Sequence, residues 1–493
     1  MKISFSVSDF VAAKGNVLVK FCHQDGFAED KLLRIINEKL KNGLKNIFDS
    51  GEFEGKLNQT IVLHAVPGIK AERVVLAGLG KKDKVNHDSY RQAAGTLSRI
   101  PAVKKAKSVA FYFGDGEDGK IATAVVEGFL LGRFEINDYK TGNDDGDDKL
   151  ETIFFHGTDQ NQVKLFKKAV TAGQIIAEGV ILARRLASMP GNSLPPEKFA
   201  SEARTQAGRH KIKITVLNEK QIKTEKMGAL LAVAQGSAEP PRFVIMEYKG
   251  GKASQKPIVI IGKGVTFDSG GISLKPVQDM HKMKGDMQGG AIILGTMVTI
   301  ARLGLPLNVV GLIPLAENMP SSRALKPGDI ITSRKGKTIE IISTDAEGRL
   351  ILADALDYAN KFKPQAVIDI ATLTGGALYV LGYSGAPIMG NDTQLMAALK
   401  KASEATAERV WEMPIWDDFR DRMKSPIADL KNSGGKPAAT MTAGAFLESF
   451  TGDWPWAHID VASVDDELTG KPYIPVGASG TGLRLLVALL EQW

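Results

Sequence analysis

Four carboxylates and three cationic side chains in the second half of this 493-residue chain have types and spacings that could do chemistry. Lys263 and Asp268 lie in Gly262-Lys263-Gly264-Val265-Thr266-Phe267-Asp268-Ser269-Gly270-Gly271, with Lys275-Pro276 close behind. Asp286 sits in Met283-Lys284-Gly285-Asp286-Met287, before an apolar helical stretch. Asp345, Glu347 and Arg349 alternate with small residues through Thr344-Asp345-Ala346-Glu347-Gly348-Arg349-Leu350. In an extended segment a period of two puts all three on one face. Taken singly, Asp286 reads as a helix N-cap, and Asp345 or Glu347 as capping residues ahead of the next helix. Capping does not explain why Arg349 joins the two acids. Ala371-Thr372-Leu373-Thr374-Gly375 carries no charge and reads equally well as a turn or as a small wall offering backbone hydrogen bonds.

Each of these segments follows or flanks a predicted element, and ligands of open α/β sheets bind beyond the carboxyl ends of the strands. That placement gathers Asp268, Asp286, Asp345 and Glu347. Four carboxylates in one crevice repel unless cations neutralise them. Two divalent metals ~3.5–4 Å apart would do so and would suit hydrolysis. None of the seven histidines forms a His-x-x-x-His pair, so oxygen ligands dominate. They favour Mn²⁺ or Mg²⁺, with Zn²⁺ also compatible. No Gly-x-Ser-x-Gly elbow is present, and the single cysteine, Cys22, lies by an N-terminal strand, so Ser or Cys nucleophiles have little support.

The elements that must position these groups follow from apolar patterning. Ile258–Ile261 reads as a buried strand that ends in a loop too rich in glycine to continue as sheet or helix. Strands are predicted at 213–217, 242–248, 257–261, 308–315, 338–342, 366–371 and 456–461. Helices are predicted at 197–207, 289–303, 348–362, 395–409, 444–450 and 482–493. Upstream, strands at 2–7, 17–21, 60–65, 73–79, 108–113 and 152–156 alternate with helices at 30–41, 90–97 and 122–133. Residues 160–187 have helical periodicity that Pro190-Gly191-Asn192 stops. The expected fold is α/β in two domains: a smaller N-terminal α/β domain over 1–160 and a connecting helix over 161–190. A catalytic domain with a mixed, largely parallel sheet flanked by helices follows over 191–493. Gly78-Leu79-Gly80-Lys81-Lys82 lacks the full phosphate-loop spacing and reads as a turn. Gly142–Asp148 reads as a solvated acidic turn, because the closing Glu of a calcium loop is missing.

Composition sets the broad class. At 43% hydrophobic and 24% charged the chain can bury a large core, and no apolar run reaches the ~18 residues of a membrane span. The N-terminus lacks a signal-peptide pattern, and one cysteine permits no intrachain disulfide, so a cytoplasmic setting is expected. The net charge of +7 is spread over dispersed lysines. A solvated basic surface is the better reading, since nucleic-acid binding needs clustered charge.

The segments quoted above, with Ala428-Asp429-Leu430-Lys431-Asn432, His458-Ile459-Asp460-Val461-Ala462 and Gly477-Ala478-Ser479-Gly480, resemble the leucyl (cytosol) aminopeptidase family. They span essentially the whole second half in family order. The first half resembles the family's variable N-terminal domain only in its α/β pattern. The resemblance implies a metal-dependent aminopeptidase that removes N-terminal residues, preferring Leu-like or Met-like side chains, from peptides with a free N-terminus. It implies two divalent metals per subunit, Mn or Zn. Asp268 and Glu347 would bridge them, Asp345 would complete one site, and Lys263 and Asp286 the other. A ligating lysine must be a neutral amine, so Lys263 would need its pKa pulled down by metal and burial. Lys275 would stabilise an oxyanion and Arg349 would hold a bicarbonate that relays protons. Met283, Thr372, Leu373 and Gly375 would line the pocket for the N-terminal side chain. A homohexamer of two stacked trimers is implied as well. An additional DNA-binding or architectural role, as in some bacterial members, is the alternative. Ser343, Gln288, Gly290 and Ser463 stand where the family commonly has other residues, which bears on substrate preference rather than on reaction class.

Overall fold

The computed structural model describes all residues except 25, 28, 115–116 and 143–147. Most of the acidic Gly142–Asp148 stretch therefore lies outside the described residues. The chain divides into two units, 1–178 with 470–476 and 179–469 with 477–493. The division falls inside one long helix, Gln160–Ser188, downstream of the boundary expected from the sequence.

The first unit is built on strands β1 (Lys2–Val7), β2 (Val17–Cys22), β3 (Thr60–His64), β4 (Arg73–Gly78), β5 (Ser108–Tyr112) and β6 (Thr152–Gly157). They pair in the order β1-β6-β5-β2-β4-β3, all parallel except β3. Successive side chains of a strand face opposite sides. Val17, Val19 and Phe21 accordingly enter one core and Leu18 and Cys22 another, so both faces of β2 are covered. Burial pushes the Cys22 thiol up to about 12, which leaves it inert as a nucleophile.

The second unit carries β7 (Lys213–Leu217), β8 (Arg242–Lys249), β9 (Ile258–Gly262), β10 (Gly264–Asp268), β11 (Asn308–Asn318), β12 (Ile330–Thr332), β13 (Thr338–Glu340), β14 (Ala366–Ala371), β15 (Ala386–Gly390), β16 (Val410–Glu412), β17 (Leu430–Lys431) and β18 (Trp456–Asp460). Nine of them form a mixed sheet in the order β16-β15-β18-β14-β9-β11-β8-β7, with β10 added alongside β11. Strands β12, β13 and β17 make a small separate sheet.

One expectation is overturned here. The glycine-flanked segment after β9 does continue as sheet: Gly264–Asp268 is a strand, parallel to β11. Val265, Thr266 and Phe267 supply the β-branched and aromatic side chains that suit a pleat. At Gly264 an added Cβ would meet the Pro314 carbonyl oxygen at 2.5 Å, so glycine there permits the close approach of β11 rather than breaking the strand.

Strands β9, β10, β11, β14 and β18 run in the same direction within this sheet. Their carboxyl ends are Gly262, Asp268, Asn318, Ala371 and Asp460. Every charged or polar segment singled out in the main sheet thus emerges at one edge, as the strand-end rule requires. Helices Gln288–Leu303 and Gly348–Ala359, largely buried, deliver Asp286, Glu347 and Arg349 to that edge from their N-terminal ends.

Asp354 in the second of these helices is fully buried and accepts hydrogen bonds from Leu230 N at 2.9 Å and Arg334 N at 2.7 Å. Burial pushes its carboxyl up to about 7, against the amides of Arg334, Leu230 and Ala229. The folded state therefore holds this proton more tightly than the unfolded chain does. The resulting stabilisation is full below the ordinary aspartate value of 3.8 and is lost as pH rises through about 7. In urea titrations, the stability of the wild type relative to Asp354→Asn is expected to fall between pH 4 and pH 8. A difference independent of pH would contradict this assignment.

Candidate active site

Lys263 follows β9 directly, and its side chain is 3% exposed. Its Nζ donates to the Thr372 carbonyl at 2.8 Å and lies 2.8 Å from Asp286 Oδ2 and 2.9 Å from Glu347 Oε1. Gly348 makes room for it, since an added Cβ would stand 2.7 Å from Lys263 Nζ. Lys275 reaches back over the other half, with Nζ 2.7 Å from Asp268 Oδ2 and 2.5 Å from Asp345 Oδ1. The two lysines thus divide the four carboxylates between them.

The joints between segments are equally specific. Asn318, at the end of β11, donates from Nδ2 to Asp268 Oδ1 at 2.8 Å and to the Thr344 carbonyl at 3.0 Å. Thr344 Oγ1 donates to the Gly270 carbonyl at 2.6 Å and accepts from Ser273 N at 2.8 Å. These bonds tie the loop carrying Asp268 and Lys275 to the loop carrying Asp345 and Glu347. Thr372 Oγ1 donates to Asp286 Oδ1 at 2.8 Å. Asp460, buried at the end of β18, accepts from Leu373 N at 3.1 Å and from Thr374 Oγ1 at 2.6 Å, which fixes the uncharged 371–375 turn.

Asp268, Asp286 and Glu347 are buried and each offers a carboxylate oxygen within 4.8 Å of the others. Asp286 Oδ2 faces Lys263 but accepts no aligned hydrogen bond, leaving a buried anionic oxygen poorly satisfied. Burial raises the Asp286 carboxyl well above the usual range, against the Lys263 charge. Burial and the Glu347 charge likewise raise Asp268, and burial pushes Asp345 up to about 6. Burial acts on Glu347 in the same sense, yet Lys263 and Lys275 hold it below the ordinary glutamate value. Burial alone would depress Lys263; Asp286, Glu347 and Asp268 outweigh it and raise the ammonium instead. Such a buried, oxygen-rich donor set fits a divalent cation, which would supply the positive charge that two lysines leave unmatched against four carboxylates.

Three sequence readings are corrected. Asp286 is not a helix N-cap: the helix it precedes begins at Gln288 behind Met287, and the Asp286 carboxylate meets Thr372 and Lys263 instead. Glu347 does occupy the N-cap position of its helix, but its side chain makes no capping hydrogen bond and turns to Lys263 instead. Nor do Asp345, Glu347 and Arg349 share a face of an extended segment. Strand β13 ends at Glu340, Asp345 lies in a turn, and Arg349 is already in a helix. A turn into a helix brings Asp345 and Glu347 to the lysines, while Arg349 points to Asn432, donating from Nη1 to its carbonyl at 2.9 Å. Arg349 Nε has no hydrogen-bond partner although it is buried.

Of the residues expected to line a side-chain pocket, Thr372 touches Asp286 directly. Met283 is half-buried and accepts Asp286 N at its carbonyl. Leu373 is half-buried, and an added Cβ on the exposed Gly375 would meet nothing within 4 Å. Gln288 hydrogen-bonds the Asp465 carbonyl and Gly480 N, so this unusual residue ties a helix end to two loops. Sequence reasoning assigned nothing to Asn318, Asn432, Asp460 or the buried pair Asp369–His458, whose Oδ1 and Nδ1 are 2.5 Å apart. The available signal was a polar residue inside an apolar strand, as in Ala366-Val367-Ile368-Asp369-Ile370-Ala371.

Residues 181–487 match the cytosol aminopeptidase family, catalytic domain, and residues 19–143 match the same family's N-terminal domain. The chain belongs to the cytosol aminopeptidase family. Relatives named "probable cytosol aminopeptidase" include one from Geotalea uraniireducens, 46% identical over 100% of this chain and 99% of its own length. Another, from Geobacter sulfurreducens, is 43% identical over 100% and 99%. Among solved structures, a mutant tomato leucine aminopeptidase superposes with a TM-score of 0.90 at 30% identity, over 100% of this chain and 97% of that one. The bottromycin maturation enzyme BotP in complex with Mn superposes with a TM-score of 0.85 at 31% identity, over 97% and 99%. The chain is therefore a cytosol-type metallo-aminopeptidase in two α/β domains. Among its described residues no helix is long and apolar enough to cross a membrane.

Proposed function

We propose that this aminopeptidase works with two divalent metals, Mn or Zn, held by Lys263, Asp268, Asp286, Asp345 and Glu347. The observation that carries this reading is the set of three buried carboxylates within 4.8 Å of one another, one with an oxygen that accepts no aligned hydrogen bond, beside two lysines. Bound metals would polarise the scissile carbonyl and make a bound water nucleophilic at neutral pH. Asp268, paired with Lys275, and Glu347, paired with Lys263, offer oxygens within 4.8 Å of each other across the two halves and would suit a bridging role, with Asp345 on the Lys275 side and Asp286 on the Lys263 side.

The chain's own groups do the rest. Lys275 presents a partly exposed ammonium between Asp268 and Asp345, where it would stabilise the oxyanion of the tetrahedral intermediate. Arg349, lowered by burial to about 10, is still charged at neutral pH and cannot serve as a base. Its buried Nε suits an anion such as bicarbonate, which would supply a proton acceptor next to the reacting water. The substrate's free α-amino group, as the neutral amine, would bind one of the metals held by these residues, which restricts cleavage to the first residue. Met283, Thr372, Leu373 and the open side of Gly375 form an uncharged wall that suits a Leu-like or Met-like side chain.

Leucyl-p-nitroanilide with Mn²⁺ is expected to be hydrolysed, and its N-acetylated form left intact. Equal rates on the two would refute an N-terminal exopeptidase. A cytoplasmic homohexamer is part of the same reading. Light scattering should give six times the 53.0 kDa chain mass.

A further inference from the structure

Asn432 follows β17 and is completely buried, although it carries no charge and touches none of the four carboxylates. Its amide is used on every side. Oδ1 accepts from Ile342 N at 2.8 Å and from Ser343 N at 3.3 Å. Nδ2 donates to the Ser343 carbonyl at 2.6 Å and, at 3.4 Å, to the Ala346 carbonyl. The backbone joins in, with Asn432 N donating to the Glu340 carbonyl at 2.9 Å and Asn432 O accepting from Arg349 Nη1 at 2.9 Å.

One residue therefore grips the turn from Ile342 to Ala346 and also carries the guanidinium of Arg349. That turn bears Asp345 and leads into Glu347. Asn318 and Ser273 hold its other side through Thr344. A side chain at 432 must accept from two amides and donate to two carbonyls at short range. Asparagine has one acceptor oxygen and two donor hydrogens in the size required. Aspartate would set a second oxygen against the Ser343 carbonyl, and alanine would leave buried amides and carbonyls without partners.

We propose that Asn432 is a positioning residue for the hydrolysis: it fixes the separation between the Asp345–Glu347 turn and Arg349 by anchoring both to one rigid point at the β13–β17 junction. The inference rests on the aminopeptidase reading and adds a residue that acts on neither substrate nor metal directly. Misplacement of reacting groups by about 1 Å typically costs about 10²-fold in rate.

The test is steady-state hydrolysis of leucyl-p-nitroanilide at saturating Mn²⁺ by the full chain, with thermal unfolding followed in parallel. Asn432→Ala is expected to lower kcat about 10²-fold while KM stays within about threefold. Asp429→Ala provides the comparison. It removes the bonds from Thr338 N and Thr338 Oγ1 at the same strand junction without touching the turn, and should lower the unfolding temperature with kcat preserved. Asn432→Asp, which keeps the Oδ1 acceptor, serves if the alanine variant does not fold, and is expected to show the same fall in kcat. A folded Asn432 variant with kcat within about threefold of wild type overturns the proposal, as does failure of both variants to fold, which would make Asn432 a stability element only. An inactive wild type would instead defeat the aminopeptidase reading itself.

Discussion

Lys275→Ala is expected to lower kcat by about 10²–10³-fold, the usual effect of removing one preorganised donor to an oxyanion. In the proposed mechanism Lys275 is that donor. Its ammonium lies between Asp268 and Asp345, and its side chain is 22% exposed, so an incoming carbonyl can reach it. Burial alone would lower its pKa, but Asp268, Glu347, Asp286 and Asp345 together hold it above the ordinary lysine value. It therefore stays charged across the neutral range. Lys275→Arg should not restore the rate, because a planar guanidinium cannot place its charge at the same point between two carboxylates. Steady-state kinetics checks both variants, with circular dichroism to establish folding. Wild-type kcat in Lys275→Ala would remove this residue from the mechanism.

The second large effect is loss of activity on metal removal with the fold intact. Buried carboxylates normally make an empty metal site unstable, since like charges in low dielectric repel. Here Lys263 lies against Asp286 and Glu347, and Lys275 against Asp268 and Asp345, so the metal-free chain contains its own counter-ions. The same contacts hold the Lys263 proton tightly. For Lys263 to become a ligand that proton must leave as a cation enters, and metal uptake should release it to solvent. Chelation is therefore expected to abolish hydrolysis while leaving the far-ultraviolet circular dichroism unchanged.

The candidate site was legible in the sequence because its residues lie in short, glycine-marked segments at strand and helix ends, and capping, which accounts for each acid singly, does not account for Arg349 beside them. The local geometry was less so. Period-two alternation of Asp345, Glu347 and Arg349 mimics a strand, yet the chain turns and enters a helix at Gly348, which spacing alone does not reveal. Strand β10 was hidden because Gly264 looks like a breaker, whereas its lack of a Cβ is what lets β11 come close. Asn318 lay outside every quoted segment, and Asn432 and Asp460 lay inside two of them without a role, for a different reason. Their roles come from hydrogen bonds to segments far away in sequence, such as Asn432 to Ser343, 89 residues apart. No local pattern records such pairings. The parallel core strands, by contrast, were plain from apolar runs such as Ile258–Ile261.

In the proposed mechanism the clustered carboxylates and Lys263 hold two catalytic metals. Its most direct test is to strip the protein with chelator, dialyse, and titrate Mn²⁺ while following leucyl-p-nitroanilide hydrolysis and bound metal together. The expected result is no activity in the stripped protein and full recovery as two equivalents per chain bind. Undiminished hydrolysis by metal-free protein, or full activity with a single equivalent bound, would contradict it.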